Sequence, residues 1–212
     1  MAHGVESVDV NIAVDLTLIG ALTVVWLAAG LLVEALPAAG TALELRRRAG
    51  RLSMLVGVGM AMFVAVPVVA GLMPGGSAAP VAALVPAVPA LLVLTITRRR
   101  LAQVRRGAGV FAAAPLVPVP PALRASAAHP MVAAPLQVTG LASIIAVPIA
   151  AGLVRLPEAG VPDAGHNLAG VGITVVAIAV GAIGVRAALR HSRLALLGPL
   201  SRPRTRIPVD VA

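Results

Sequence analysis

The chain has 212 residues, of which 59% are hydrophobic and 12% are charged. Soluble domains are about 45–50% apolar and about 25% charged, so this composition excludes a soluble globular domain. It also excludes disorder over most of the length, because disordered segments combine low hydrophobicity with high charge. The formal net charge is +9, with 17 Arg, no Lys and no Cys. A chain without Cys has no disulfides, iron–sulfur clusters or thiolate nucleophiles.

Five segments are apolar over the roughly 20 residues that a helix needs to cross a bilayer. None alternates apolar and polar residues as a transmembrane strand does. The predicted fold class is therefore all-α: a polytopic integral membrane protein, built as a bundle of five transmembrane helices. The spans cover about residues 16–36, 52–73, 78–97, 131–154 and 168–185. They form a single transmembrane domain, residues 1–189, followed by a basic cytoplasmic tail, residues 190–212, which we expect to be disordered.

The arginines predict the orientation, because cytoplasmic loops of membrane proteins are enriched in Lys and Arg. With five spans, 16 of the 17 Arg lie on one side, and Arg155 lies on the other. The N-terminus is then outside and the C-terminus is in the cytoplasm. The Ala, Val, Gly, Pro and Arg bias is typical of a high-GC genome and favours a bacterial plasma membrane. The topology-setting arginines are Arg46, Arg47, Arg48, Arg98, Arg99, Arg100, Arg190 and Arg193.

The location of the arginines on one side of the membrane explains the basic net charge, so we predict no nucleic-acid partner. Arg side chains near a membrane surface attract anionic headgroups by about 1 kcal/mol each. We therefore expect the lipid bilayer, through its anionic headgroups, to be a partner. Association with other membrane subunits or with further copies of the chain is left open.

The connection between the third and fourth spans, residues 107–130, is rich in proline. Within this connection, residues 108–123 are apolar, and the alternative interpretation is that they form a sixth span. That stretch has only 16 residues and contains four prolines, and inserting it would move the C-terminal arginines outside. We therefore predict a cytoplasmic or interfacial, polyproline-like linker.

Two of the spans resemble each other. Val64–Met73 and Ile145–Val154 are identical at six of ten positions, which include Pro67 and Pro148. Each segment is followed by an external loop, another span and an Arg cluster, which favours a parallel two-hairpin repeat plus an extra first helix. The alternative is coincidence in a chain rich in Ala and Val. Both prolines are predicted to kink their helices, because proline removes a backbone hydrogen bond.

Helix association in lipid depends on small residues that allow close approach. Such residues recur every four positions on three of the spans, and these stripes are the predicted packing faces. They are Gly57, Ala61 and Ala65 on the second span, Ala142, Ala146 and Ala150 on the fourth, and Ala177 and Gly181 on the fifth. We accordingly expect Ala61→Leu to destabilise the bundle.

Glu34 is the candidate functional residue, since an ionisable group inside a membrane is a functional hypothesis by default. It lies eight residues after Trp26, about 12 Å along a helix, just inside the cytoplasmic edge and shortly before Pro37. One interpretation is a proton or cation site that faces the bundle. The other, which we favour, is a side chain that reaches the interface or pairs with Arg46–Arg48. Asp15, at the outer end of the first span, is expected to be solvated.

The other motifs do not favour an enzyme. The four His show no ligand spacing on a predicted helix, although a haem held between His129 and His191 is an alternative. A weak external metal site formed by His166 with Asp163 and Glu158 is another. No P-loop, nucleophile elbow or zincin motif is present, so we predict no cofactor, no metal and no catalytic residue.

The leading functional prediction is a non-catalytic structural or accessory membrane subunit, because the spans contain few polar groups. The alternative is a small oligomeric transporter or channel that uses Glu34 as its coupling group. A membrane enzyme that handles haem or lipid is a weaker alternative. The other intramembrane polar residues are expected to bond neighbouring helices; they are Thr17, Thr23, Gln137, Thr139 and Ser143.

Overall fold

The computed structural model describes residues 3–73, 79–113, 118–153 and 166–200. The structure is 90% helical and contains no strands within these ranges, which confirms the all-α prediction. The helices are α1 (His3–Ala35), α2 (Ala42–Gly71), α3 (Ala79–Phe111), α4 (Pro121–Ala127), α5 (Pro130–Ala150) and α6 (His166–Leu200). A 3-10 turn, Leu36–Ala38, follows α1.

Four of these helices are long and apolar enough to cross a membrane, and α3 is a fifth if its two segments count as one span. The segments Ala79–Leu91 and Val93–Phe111 meet at 50°. Pro86 and Pro89 lie inside the helix just before this bend. Proline is a common cause of kinks because it lacks a backbone N–H and its ring crowds the preceding turn. Four to five long apolar helices thus support the membrane-protein class.

Contacts along α1 show the directions of its neighbours. On α2, Phe63 stacks on Trp26, whereas Arg48 reaches the carbonyl of Ala35. The order of contacts is opposite on the two helices, so α1 and α2 are antiparallel. On α5, Gln137 contacts Glu34 and Ser143 contacts Thr23, so α5 is also antiparallel to α1. The helices α2 and α5 therefore run in the same direction, as the repeat predicts.

The other long helices run with α1. Asp15 contacts Ala79 at the start of α3, and Arg186, late in α6, reaches Glu34 near the end of α1. As a result, α1, α3 and α6 finish at the end of the bundle where α2 and α5 begin. We call this the arginine-rich end, because it holds all the arginines of the described ranges. They are Arg46, Arg47, Arg48, Arg51, Arg98, Arg99, Arg100, Arg105, Arg106, Arg124, Arg186, Arg190 and Arg193.

The linker prediction for residues 107–130 needs correction. Helix α3 continues to Phe111, and Pro121–Ala127 forms the short helix α4. Proline starts α4 without strain because the first residues of a helix need no intrahelical N–H bond. The segment before α4 is docked rather than free, since Val119 N donates to Gly40 O at 3.3 Å. The predicted polyproline-like linker is therefore wrong over these helical residues.

The predicted boundary of the tail is also wrong. Helix α6 runs through Leu200, so residues 190–200 are helical rather than disordered. Arg190 and Arg193 continue the spacing of four and three residues that begins at Arg186, which keeps them on one face of the helix. Arg is also a good helix former. The remainder of the tail, residues 201–212, lies outside the described ranges.

The core is centred on Trp26, the single Trp of the chain. Its side chain is fully buried, and its ring stacks on Phe63 at a centroid distance of 5.2 Å. The close approach requires Gly59, where a Cβ would lie 2.6 Å from the indole Cζ2. Gly140 of α5 approaches the backbone of the same residue, since a Cβ there would be 3.3 Å from the carbonyl O of Trp26. Helices α1, α2 and α5 thus meet at Trp26, with Gly59 against its side chain and Gly140 against its carbonyl.

The small-residue packing faces are only partly correct. On α5, Ala146 and Ala150 are buried and Ala142 is half-buried. On α2, however, Ala61 and Ala65 are exposed, and no atom lies within 4 Å of a Cβ built on Gly57. On α6, Ala177 and Gly181 are exposed as well. The face of α2 that does pack within the chain consists of Leu52, Val56, Gly59, Phe63, Val66 and Ala70.

The two similar segments, in α2 and α5, run in the same direction but differ in which of their residues are buried. Ala65 of α2 and Ala146 of α5 occupy equivalent positions of the repeated segment, yet Ala65 is exposed and Ala146 is fully buried. Pro67 and Pro148 both lie inside their helices, close to the C-terminal ends. The kinks predicted at these two prolines remain a prediction.

Candidate functional site

Glu34 lies in the last turn of α1, where backbone carbonyls lack intrahelical partners. Pro37 follows and has no N–H to continue the ladder. Arginines supply the missing donors: Arg190 Nη2 donates to the carbonyl O of Glu34 at 2.7 Å, and Arg48 Nη1 donates to that of Ala35. Positive charge is also the sign that the dipole favours at a helix C-terminus. The end of α1 is thus capped from both α2 and α6.

The Glu34 carboxylate has two further partners. Gln137 Nε2 of α5 donates to Oε1 at 2.8 Å. Arg186 Nη2 of α6 lies 3.1 Å from Oε1 and 3.2 Å from Oε2. These partners are 103 and 152 residues away from Glu34 in the sequence. The carboxylate therefore links α1 to α5 and to α6 at the arginine-rich end.

A small cavity of about 10 Å³ adjoins this cluster. It is lined by Glu34, Gln137, Arg186, Ala187 and Arg190, among other residues. A cavity of this size has room for about one water molecule. The Glu34 side chain keeps 32% of its surface exposed, and that of Arg186 keeps 71%. The geometry is that of a hydrated ion pair between helices.

The structure corrects the expected partner of Glu34. Of the arginines between the first two spans, Arg48 pairs with Glu44, one turn away on α2. The partner that the sequence analysis missed is Arg186. The available signal is the four-residue spacing of Arg186 and Arg190, which places both on one face of α6. That spacing does not reveal which helix the face meets.

Glu44 positions Arg48 and caps α2. Thr41 Oγ1 accepts from Glu44 N at 3.2 Å, and Glu44 Oε2 accepts from Gly40 N at 2.9 Å, in the manner of a capping box. The Gly40 N–H bond holds the pKa of the Glu44 carboxyl below its ordinary value, against the effect of burial and with help from Arg48. Glu44 precedes the apolar part of α2, which begins at Leu52.

Asp15 is not solvated as predicted. Its side chain is 3% exposed, and Oδ2 accepts from Ala79 N at 3.2 Å. A carboxylate at this place satisfies an amide of the first turn of α3 and interacts favourably with the helix dipole. Asp15 is therefore an interhelical cap.

The intramembrane hydroxyl and amide groups divide into two kinds. Gln137 bonds Glu34 and connects helices as predicted. Thr23 Oγ1 lies 3.1 Å from Ser143 O of α5 but 2.8 Å from Ile19 O of its own helix, so its single proton is shared between the two carbonyls. By contrast, Thr17, Thr139 and Ser143 donate to carbonyls four residues earlier in their own helices. Thr97, which was not predicted, links α3 to Met131 O of α5 at 3.1 Å.

His129 and His191 meet at the arginine-rich end, with ring centroids 5.0 Å apart and planes at 58°. Axial ligands on opposite sides of one haem iron would place the centroids about 6 Å apart, given metal–nitrogen bonds of about 2 Å. The observed separation is shorter, so the pair does not fit the haem alternative. Within the described ranges, no three His, Cys, Asp or Glu residues form a group that could hold a metal ion. Asp163 and Glu158 of the other metal alternative lie outside those ranges.

Comparison of the chain with family models, with curated proteins and with solved structures found no match.

Proposed function

We propose that the protein is a five-span protein of a bacterial plasma membrane, with the N-terminus outside and the arginine-rich end in the cytoplasm. The support is the collection of arginines from α2, α3, α4 and α6 at one end of the bundle. Cytoplasmic enrichment in Arg is the strongest sequence determinant of orientation. Several of these side chains are exposed, among them Arg46, Arg99 and Arg105, and they would lie among anionic headgroups.

The absence of Cys from the chain makes the topology straightforward to test. Single cysteines at Ala113, beyond α3, and at Leu72, beyond α2, report on opposite ends of the bundle. In intact cells, an impermeant thiol reagent should label Leu72→Cys and not Ala113→Cys. Labelling of Ala113→Cys from outside would contradict the five-span orientation.

We further propose that the protein is a non-catalytic structural or accessory subunit. The observation that carries this proposal is that the Glu34 carboxylate is already bonded within the chain and has little open space beside it. Both carboxylate oxygens are bonded to side chains of the same chain, and the adjoining cavity of about 10 Å³ has room for about one water. A transported solute would need a larger polar path at this carboxylate. Glu34 is thus better suited to holding helices together than to coupling transport.

The exposure of α6 supports a partner within the membrane. Only 6% of its apolar window is buried inside the chain, compared with 28–39% for the other three qualifying helices. Such a helix is held at the edge of the bundle and offers most of its apolar surface outward. Helix interfaces in lipid are rich in small residues, and the exposed Ala177 and Gly181 lie on this helix.

Mild-detergent purification followed by native mass spectrometry tests the subunit proposal. We expect a complex of defined stoichiometry, with another membrane polypeptide or with further copies of this chain. A photo-crosslinker at Ile178 of α6 should capture that partner, whereas one at the equally exposed Val64 of α2 should not. A chain that is monomeric under these conditions would contradict the proposal. So would an ion or solute flux in proteoliposomes that Glu34→Gln abolishes, which is the outcome expected of the transporter alternative.

A further inference from the structure

Arg98 of α3 extends toward the apolar part of α2. It is the first residue after the predicted third span, and its Nη1 lies 3.9 Å from Met60 Sδ. Met60 comes eight residues after Leu52, where the apolar part of α2 begins, which is about 12 Å along the helix. Helical side chains tilt toward the N-terminus of their helix, and α3 begins at the end of the bundle opposite the arginine-rich end. The Arg98 guanidinium therefore lies at the level of the apolar spans.

No carboxylate of the described ranges neutralises Arg98. The acidic residues of these ranges that lie at the arginine-rich end are Glu34 and Glu44, and both are already paired with other arginines. The thioether of Met60 is only a weak acceptor and carries no charge. A cation at this depth is costly unless an anion accompanies it. The position of Arg98 therefore favours an anionic partner from outside the chain.

Two further arginines lie along the same edge of the bundle. Seven residues make close to two helical turns, so Arg105 shares the face of α3 that carries Arg98, and Ser53 and Arg46 share the face of α2 that carries Met60. Because α2 and α3 are antiparallel, both steps lead toward the arginine-rich end. Arg46 and Arg105 are exposed, and no carboxylate of the described ranges pairs with either. We call these five residues the α2–α3 seam.

The α2 side of the seam leaves room for a ligand. Gly50 and Gly57 adjoin Ser53 at the spacing of neighbours on one helix face, and no atom lies within 4 Å of a Cβ built on either glycine. Away from the arginine-rich end, the same two faces continue with Val64 on α2 and Leu91 on α3, which are 67% and 58% exposed. The seam thus has unpaired cations at one end, open space above small residues, and exposed apolar side chains at the other end.

We propose that the α2–α3 seam binds one anionic phospholipid, with its phosphate at Arg98 and its acyl chains along Val64 and Leu91. Charge complementarity identifies the occupant, because guanidinium donors match phosphate oxygens in geometry and charge. The apolar residues continue the site in the direction that the acyl chains of a lipid take from its headgroup. A soluble polyanion would match the arginines alone. The general attraction of the arginine-rich end for anionic headgroups becomes, at the seam, a site for a single lipid molecule.

This inference rests on the proposed membrane placement of α2 and α3, because the apolar part of the seam must face lipid. It does not depend on which side of the membrane the arginine-rich end occupies, since both leaflets contain phospholipid headgroups. A reversed pattern of cysteine labelling with lipid binding intact would overturn the orientation alone. The expected labelling pattern without lipid binding would overturn the lipid site alone.

Native mass spectrometry of the full chain in mild detergent tests the site directly. The delipidated chain is supplied with phosphatidylglycerol or with phosphatidylcholine of the same acyl chains. We expect one phosphatidylglycerol to bind about tenfold more tightly than phosphatidylcholine, the step that one hydrogen bond to a charged group gives. Equal binding of the two lipids would overturn the proposal. So would displacement of the bound lipid by inorganic phosphate, which would assign the arginines to a soluble anion.

Matched variants locate the bound lipid on the chain. Arg98→Gln should weaken phosphatidylglycerol binding by about tenfold. Arg99→Gln removes an exposed charge one residue away and should change the affinity by less than about twofold. Gly57→Leu keeps every charge but fills the space beside Met60, so it should also weaken binding. Ala65→Leu should not, because Ala65 is exposed and lies about 140° around α2 from Met60. Equal affinities of the two Gln variants, or of the two Leu variants, would overturn the seam as the binding site.

Discussion

Glu34 and Arg186 are 152 residues apart in the sequence, and Arg186 Nη2 nevertheless lies 3.1 Å from Glu34 Oε1. The pair connects the end of α1 to α6, the helix with the least buried apolar window. Exposed ion pairs contribute about 0–1 kcal/mol, so this one cannot hold the fold by itself. We expect it to help position α6, together with the bond from Arg190 to the carbonyl O of Glu34.

Removing the Arg186 charge should therefore have a small and local effect. Arg186→Gln should lower the free energy of unfolding by about 0.5–1 kcal/mol and increase hydrogen exchange in the second half of α6. Arg193→Gln is the control, because Arg193 is an exposed arginine on the same helix that does not bond Glu34. Equal effects of the two Gln variants would show that the ion pair does not position α6.

The class of fold could be predicted from the sequence, because long apolar runs without strand alternation leave helix as the state that satisfies the backbone in lipid. The location of the arginines at one end of the bundle could also be predicted from the sequence. The partner of Glu34 could not be predicted, because the contact between α1 and α6 depends on tertiary packing. The fate of Asp15 was missed for the same reason: its partner, the Ala79 amide, belongs to a helix end that begins 64 residues later.

The prediction of packing faces from small residues was partly wrong for a different physical reason. Small residues are so frequent here that a four-residue spacing occurs on several faces of one helix. The large side chains determine which face of α2 packs, since Phe63 stacks on Trp26 and Gly59 leaves room for the indole. Once these residues turn inward, helical geometry turns Ala61 and Ala65 outward.

Gly59 should be intolerant of any side chain. A Cβ there would lie 2.6 Å from Trp26 Cζ2 and 2.8 Å from Cε2, and the fully buried indole is held against Phe63. We expect Gly59→Ala to lower the free energy of unfolding by about 1–3 kcal/mol, as overpacking of a core does. The emission of Trp26, the single Trp of the chain, should shift because its packing changes.

Gly57 provides the control for this experiment on the same helix. No atom lies within 4 Å of a Cβ built at this position. Gly57→Ala should leave the Trp26 emission unchanged and stabilise α2 by about 0.5–1 kcal/mol, because Ala is the better helix former. Similar losses in both glycine variants would contradict the assigned packing of Trp26.

Ala61 and Ala146 should respond oppositely to enlargement. Ala146 is fully buried, so Ala146→Leu should cost about 1–3 kcal/mol through overpacking. Ala61 is exposed, so Ala61→Leu should leave the stability of the single chain within about 0.5 kcal/mol. This reverses the expectation from the sequence alone. Unfolding of the purified variants measures both values, and a large loss in the Ala61 variant would restore the original packing face.

Asp15 should matter for the start of α3. Asp15→Ala removes the acceptor for Ala79 N and should cost about 1 kcal/mol, as loss of a helix cap does. Asp15→Asn keeps an acceptor oxygen and loses the interaction of the charge with the helix dipole, about 0.3–1 kcal/mol. Hydrogen exchange at the first amides of α3 should therefore accelerate more in the Ala variant than in the Asn variant. Thr17→Ala removes a hydroxyl that bonds its own helix at Ala13 O, so it should leave the α3 amides unchanged. If the Asp15 variants also leave them unchanged, the carboxylate does not cap α3.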